Sequence, residues 1–157
     1  MITPLSCLVQ KANACDLWRI KHIMDKAFDP MFGEAWTEAQ CSAMLIMPGS
    51  WFLIATVDGE AVGFALIRSA VSEAELMLIA VDPLFQNRKI GRLLLTHILS
   101  DCKNAAIDVI HLEVRANNPA LIVYESIGFQ RVGIRKNYYR GPLGRLSDAI
   151  TLTCRPI

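Results

Sequence analysis

Between Ile79 and Asn104 the chain leaves an apolar stretch, Ile79-Ala80-Val81, and passes Asp82-Pro83. It then runs through a basic loop, Gln86-Asn87-Arg88-Lys89-Ile90-Gly91-Arg92, into a segment whose apolar residues Leu94, Leu95, Ile98 and Leu99 recur at helical spacing. A second apolar run, Val109 to Val114, follows directly. Strand, helix and strand in that order form a crossover unit with two parallel strands. The preceding segment pairs differently. Phe52 to Val57 and Ala61 to Arg68 flank Asp58-Gly59, a two-residue hairpin signal, and Glu75 to Val81 is the next strand.

The remaining elements fall around this frame. Leu5 to Val9 reads as an edge strand. Asp16 opens a helix with apolar residues at Leu17, Ile20, Met24 and Phe28, broken by Pro30 and Gly33. Thr37 and Gln40 form a capping-box pair for a second helix that runs to about Met47, where Pro48-Gly49 stops it. Asn117 caps a short helix with Pro119 in its first turn, and Gly128 ends it. Phe129 to Arg135 and Ala149 to Thr153 read as closing strands joined by a Tyr- and Gly-rich loop. The order β-α-α-β-β-β-α-β-α-β-β indicates an α/β (α+β) fold, a mixed sheet with helices on both faces. At 157 residues the chain is expected to form one domain, 1–157.

Charge and cysteine usage narrow the function. Sixteen Lys and Arg stand against 15 Asp and Glu, a net charge of +1, so neither nucleic acid nor an anionic membrane is an expected partner. No apolar run approaches the roughly 20 residues that span a bilayer. Met1 to Lys11 lacks the basic start and apolar segment of a signal peptide, so a cytoplasmic protein is expected. Cys7, Cys15, Cys41, Cys102 and Cys154 are scattered, with no Cys-x-x-Cys pair. They read as free and mostly buried thiols, and no metal site is expected. His22, His97 and His111 show no ligand spacing and read as structural. Trp18, Trp36 and Trp51 read as core or cleft-rim residues.

The chemistry gathers at the basic loop. Unpaired N–H groups at a helix start and the positive end of the helix dipole converge on one point, and Arg88, Lys89 and Arg92 add charge there. A pyrophosphate is a natural ligand for such a site. A solvated loop that merely caps its helix would have the same spacing.

These residues resemble a known set. The Gln86-x-x-x-x-Gly91-Arg92 arrangement after Ala80-Val81-Asp82-Pro83 is similar to the acetyl-CoA pyrophosphate loop of the GNAT acyltransferase superfamily. Leu112-Glu113-Val114-Arg115, then Asn117, then Tyr124-Glu125-Ser126-Ile127-Gly128-Phe129 resemble the second half of that motif set. Ala35-Trp36-Thr37-Glu38, Arg135-Lys136-Asn137-Tyr138-Tyr139 and Asp148-Ala149 narrow the resemblance to the RimI-type ribosomal-protein alanine N-acetyltransferases. It covers nearly the whole chain. It implies a GNAT-like, mostly antiparallel sheet of six to seven strands with a splayed central parallel pair, and acetyl-CoA as cosubstrate. By the same resemblance, the backbone of Ile79, Ala80 and Val81 would take the acyl carbonyl and pantetheine arm. Asn87, Arg88, Lys89, Ile90, Gly91 and Arg92 would take the pyrophosphate, and Asn117 would reach the cosubstrate. Two departures stand out. Lys89 replaces the family's usual glycine, which would cost roughly 1–2 kcal/mol if the backbone there is left-handed. The link from Arg115 to Asn117 is also one residue short.

The implied reaction is direct attack of an amine on the acetyl thioester. Strand alternation turns Glu113 away from Leu112 and Val114, and a carboxylate at a strand end beside a cleft suits a general base. Without the resemblance it reads as a surface glutamate. Tyr124 would protonate the departing thiolate, since a phenol near 10 and a thiol near 8.5 are close enough to share a proton in the transition state. Alternatively it packs helix against sheet. An α-amine titrating near 8 is partly neutral at neutral pH, unlike a lysine near 10.4, so one carboxylate base suits a protein N-terminus better. Trp36, Tyr138 and Tyr139 are expected to line the acceptor groove. The acceptor is then a protein or peptide N-terminus, possibly of a ribosomal protein. A small-amine or lysine acetyltransferase and a non-catalytic acyl-CoA-binding domain are the other readings. Glu34, Glu38, Glu73 and Glu75 are the carboxylates open to a small amine.

Overall fold

A computed structural model of the chain describes residues 6–28 and 35–156. Seven strands form one sheet: β1 (Cys7–Lys11), β2 (Ser50–Val57), β3 (Glu60–Ala70), β4 (Glu73–Val81), β5 (Val109–Arg115), β6 (Gln130–Arg140) and β7 (Leu146–Cys154). Their order across the sheet is β1-β2-β3-β4-β5-β7-β6. Four helices, α1 (Leu17–Ala27), α2 (Glu38–Leu45), α3 (Ile90–Asn104) and α4 (Ala120–Ile127), cover its two faces. The expected α/β class, the mixed sheet and the single parallel pair are all present, and every other pairing is antiparallel.

Local chemistry accounts for the turns. Asp58 and Gly59 both take positive φ, 50° and 80°, the backbone that a two-residue hairpin matched to strand twist requires. The Thr37 hydroxyl accepts from the Gln40 N–H at 3.1 Å while the Gln40 side chain accepts from the Thr37 N–H at 2.7 Å, so both donors at the start of α2 are satisfied.

Alternation in β2 divides the core. Leu53, Ala55 and Val57 face α3 and α4, in a cluster with Leu94, Leu95, Ile98 and Leu121. Phe52 and Ile54 face α1 and α2, with Ile20, Ile23, Met24 and Met44. Each such fully buried aliphatic or aromatic side chain contributes on the order of 1.5–3 kcal/mol. The α3 side packs closely at Gly63, where a Cβ would stand 3.3 Å from Leu94 Cδ1 and 3.4 Å from Ile90 Cγ2.

One irregularity opens the sheet. β4 and β5 pair only through Glu73–Val109, Ala74–Ile110 and Glu75–His111, and then separate. The β3–β4 register slips at Leu66–Ile67, which face Leu78 and Leu76, so Met77 is the extra residue of a bulge. A bulge bends its strand and raises its twist. Beyond it, Met77 to Val81 diverge from Leu112 to Arg115, and a wedge opens in the middle of the sheet.

Four expectations change. The Tyr- and Gly-rich loop after Arg135 is strand: β6 continues to Arg140 and carries Tyr138 and Tyr139. It does so by absorbing register shifts at Arg131–Gly133 and Arg135–Tyr139, and these erase the two-residue alternation that would have marked a strand. Asn117 is exposed and does not cap α4; Asn118 Oδ1 accepts from the Ala120 N–H at 2.9 Å instead. Trp18 lies on the outer face of α1, 67% exposed, and belongs to neither core nor cleft. The first strand is shifted to Cys7–Lys11. Leu5, Pro30, Gly33 and Glu34 lie outside the described residues.

Candidate active site

The wedge between β4 and β5 holds a cleft of about 380 Å³ lined by residues of four elements and their ends. β4 gives Leu76 to Ile79, β5 gives Leu112 to Arg115, α4 gives Tyr124 and β6 gives Tyr139. Phe28, Trp36 and Asn118 complete it. Trp36 is anchored by its backbone N–H, which donates to Met24 Sδ at 2.9 Å.

Glu113 and Tyr124 share this cleft but reach it from different sides. Leu112 and Val114 are buried against α3 and α4, so alternation turns Glu113 to the opposite face of β5. Its carboxylate is 3.4 Å from Arg135 Nε, an ion pair in which Glu113 is 23% and Arg135 61% exposed. Tyr124 belongs to the α3–α4 cluster at 6% exposure, with its ring edge-on to Phe129 at 5.9 Å between centroids. Burial disfavours the phenolate and pushes the Tyr124 pKa up to about 12. That widens the gap to a thiol near 8.5. Tyr124 is therefore suited to donating a hydrogen bond to a leaving sulfur rather than to surrendering its proton outright.

On the other wall, among the described residues β4 beyond Glu75 has no strand paired on its β5 side, so the backbone of Leu76 to Val81 faces the wedge. Ile79 lines the cleft, whereas Ala80 and Val81 lie further along the strand. Gln86 Nε2 reaches back to the Val81 carbonyl at 3.3 Å. Asp82 is buried; its carboxylate accepts from the Leu84 N–H at 3.0 Å and pairs with Lys26 Nζ at 3.3 Å. These bonds fix the exit of β4 into the basic loop.

The loop ends at Lys89, the N-cap of α3, whose backbone is left-handed with φ 65° and ψ 18°. Asn87 is left-handed too, at φ 63°. Lys89 thus adopts the conformation for which a glycine would be cheaper, at a cost of roughly 1–2 kcal/mol. Among the described residues no side chain caps α3, and the first helical bond runs from the Leu93 N–H to the Lys89 carbonyl. The N–H groups of Ile90, Gly91 and Arg92 precede that bond and are unspent by the helix. A Cβ on Gly91 would approach only Val81 Cγ2, at 3.9 Å, so room remains above the turn. Uncapped donors, open space and nearby cations fit a pyrophosphate. The cations are not all aimed at it. The Arg88 guanidinium lies 5.1 Å from the centre of the Phe85 ring, and Arg92 Nη1 donates to Ser126 Oγ at 2.8 Å, tying α3 to α4. Ile90 is buried, leaving only its backbone for the loop.

Of the remaining expected residues, Trp36 and Tyr139 line the cleft; Tyr138 is 53% exposed and packs edge-on against Tyr139 at 5.1 Å. Asn117 does not line the cleft, and its neighbour Asn118 does. The sequence reading missed Phe28, Arg115 and Arg135 as members of this site. Arg115 carried a signal, since it stands two residues from Glu113 on the same face of β5. Among the described residues no group of three His, Cys, Asp or Glu side chains is placed to hold a metal ion, and no helix is long and apolar enough to cross a membrane.

Residues 21–140 match the family described as acetyltransferase (GNAT) domain. The bS18-alanine N-acetyltransferase of Haemophilus influenzae is 38% identical over 97 residues, 62% of this chain and 66% of that protein. The Salmonella typhimurium enzyme of the same name is 43% identical over 98 residues, again 62% of this chain and 66% of its own length. The chain thus spans a little under two thirds of these relatives. The crystal structure of the ribosomal-protein-S18-alanine N-acetyltransferase from Escherichia coli superposes with a TM-score of 0.86 at 32% identity, covering 96% of this chain and 94% of that one.

Proposed function

Because this chain belongs to the GNAT acetyltransferase family, we propose that it transfers the acetyl group of acetyl-CoA to the N-terminal α-amine of a protein. The acceptor is an alanine N-terminus, that of ribosomal protein bS18, and residues 1–157 act as one cytoplasmic domain. The acceptor assignment is supported by the names of the similar Haemophilus, Salmonella and Escherichia coli enzymes. The observation that carries the chemistry is the meeting of Glu113 and Tyr124 in one cleft, beside the unpaired backbone of β4.

Acetyl-CoA supplies an acyl group already activated as a thioester. The chain's own residues position it and manage protons. The first-turn N–H groups of α3, with Lys89 beside them, take the pyrophosphate. The free edge of β4 at Ile79, Ala80 and Val81 takes the pantetheine arm, and its N–H groups offset charge growing on the acyl oxygen. Glu113 accepts the proton that the amine loses as its nitrogen bonds to the acyl carbon. Tyr124, whose pKa burial pushes up to about 12, donates a hydrogen bond to the sulfur as the carbon–sulfur bond breaks and CoA leaves as the thiolate. Trp36 and Tyr139 form the walls against which the acceptor's first residues lie.

Replacing the base tests this reading. Glu113→Gln keeps the side chain's shape and removes its basicity, so turnover with acetyl-CoA and an alanine-terminated bS18 peptide should fall about 10²–10⁴-fold. Acetyl-CoA affinity, measured by titration without peptide, should stay within about twofold, because Glu113 lies off the pyrophosphate loop. Undiminished turnover would remove Glu113 from the mechanism.

A further inference from the structure

Glu113 has a single ion partner among the described residues, and that partner comes from two strands away. In the sheet register Glu113 faces Thr151 of β7, and Thr151 faces Gly133 of β6. One step along, Arg115 faces Ala149, which faces Arg135. Small side chains therefore occupy the ground between, and the Arg135 side chain crosses over β7 to bring Nε within 3.4 Å of Glu113 Oε2. Arg135 is itself held. Its guanidinium stacks 5.1 Å from the Tyr138 ring centre, Tyr138 packs on Tyr139, and Arg115 stacks 4.5 Å from the Tyr139 ring centre. The bend that brings the tyrosines back lies at Asn137, left-handed at φ 56°, whose N–H is tied to Asp148 Oδ1 at 2.9 Å.

A pair in which the cation is 61% exposed contributes little to folding. Its geometry has another use. A glutamate at a cleft wall can adopt several rotamers, and a contact to one carboxylate oxygen restricts them while leaving the other oxygen open to the acceptor. We propose that Arg135 is a positioning residue for the base: it holds the Glu113 carboxylate in the orientation that receives the amine proton, and Tyr138 holds Arg135 in place. The inference rests on the reading of Glu113 as the base.

The test compares steady-state and single-turnover kinetics of wild type, Arg135→Met, Arg135→Lys, Glu113→Gln and the Arg135→Met/Glu113→Gln double variant. The probes are acetyl-CoA and the alanine-terminated bS18 peptide. Misplacing a catalytic group by about an ångström costs up to about 100-fold. Arg135→Met should therefore lose about 10- to 100-fold in kcat and in the single-turnover rate, with KM for the peptide within about twofold. Arg135→Lys, which keeps the charge, should recover most of the loss. On the Glu113→Gln background, Arg135→Met should cost nothing further, because its effect passes through Glu113. An unchanged rate in Arg135→Met would overturn the inference. So would a loss confined to KM, or one of equal size on both backgrounds. A Glu113→Gln variant at full turnover would be a different failure, that of the base itself, and a wild type that leaves the peptide unmodified would count against the proposed acceptor.

Discussion

Tyr124 packs within the α3–α4 cluster and also lines the cleft, so one side chain links the core to the proposed chemistry. The α3–α4 cluster that buries its ring also disfavours the phenolate and pushes the pKa up to about 12. The same shift carries a stability consequence of fixed sign. A pKa raised in the folded state, against about 10 unfolded, contributes stability that is full below pH 10 and lost as pH rises through about 12. Cys102, pushed up to about 11 by burial, acts in the same sense from near pH 9. Tyr124→Phe should therefore lose activity at neutral pH and also flatten the fall in Tm between pH 10 and 12. Melting curves across that range check it; an unaltered slope would mean that folding does not hold this proton. Glu113 and Arg135 illustrate the opposite case, an ion pair between side chains two strands apart in the sheet.

At the scale of elements, capping separates what the sequence could reveal from what it could not. The Thr37–Gln40 box and the Asp58-Gly59 turn are local signals, legible because each residue satisfies donors or backbone angles within three positions of itself. The cap of α4 was not legible in the same way. Asn117 and Asn118 are adjacent, and only the turn from the Arg115 carbonyl to the Asn118 N–H, 3.0 Å, decides which of them turns its side chain to the helix. Asn118→Ala should cost about 1 kcal/mol, while Asn117→Ala should cost under about 0.5 kcal/mol. Denaturant unfolding of the two variants side by side measures this, and equal effects would contradict the assignment. β6 was foreshortened for a related reason, since its extra residues at Val132 and before Tyr139 scramble the face that each side chain occupies. The contact between Arg135 and Glu113 was beyond sequence reasoning because it depends on Gly133, Ala149 and Thr151 lining up in register.

For the whole molecule, the decisive feature is a sheet covered on both faces that nevertheless opens at its centre. Two clusters of buried side chains, one under α1 and α2 and one under α3 and α4, hold the frame rigid around that opening. The bulge at Met77 and the three-residue β4–β5 ladder make the opening possible. The basic loop follows the β4 wall of that wedge, and the Lys26–Asp82 pair ties α1 to the exit of β4. The crossover and hairpins were readable as patterns of apolar residues, and the motifs pointed to the loop at Lys89. The splay itself came from the resemblance, since no residue pattern in β5 says where its pairing ends. Mass spectrometry of two peptides incubated with the protein and acetyl-CoA tests the proposed transfer to an α-amine. One carries the free alanine N-terminus of bS18; the other is the same peptide with that N-terminus blocked and a lysine left free. An N-terminal α-amine acetyltransferase adds the mass of one acetyl group to the first peptide and none to the second. Acetylation of the lysine peptide instead, or of neither, would contradict the proposed transfer.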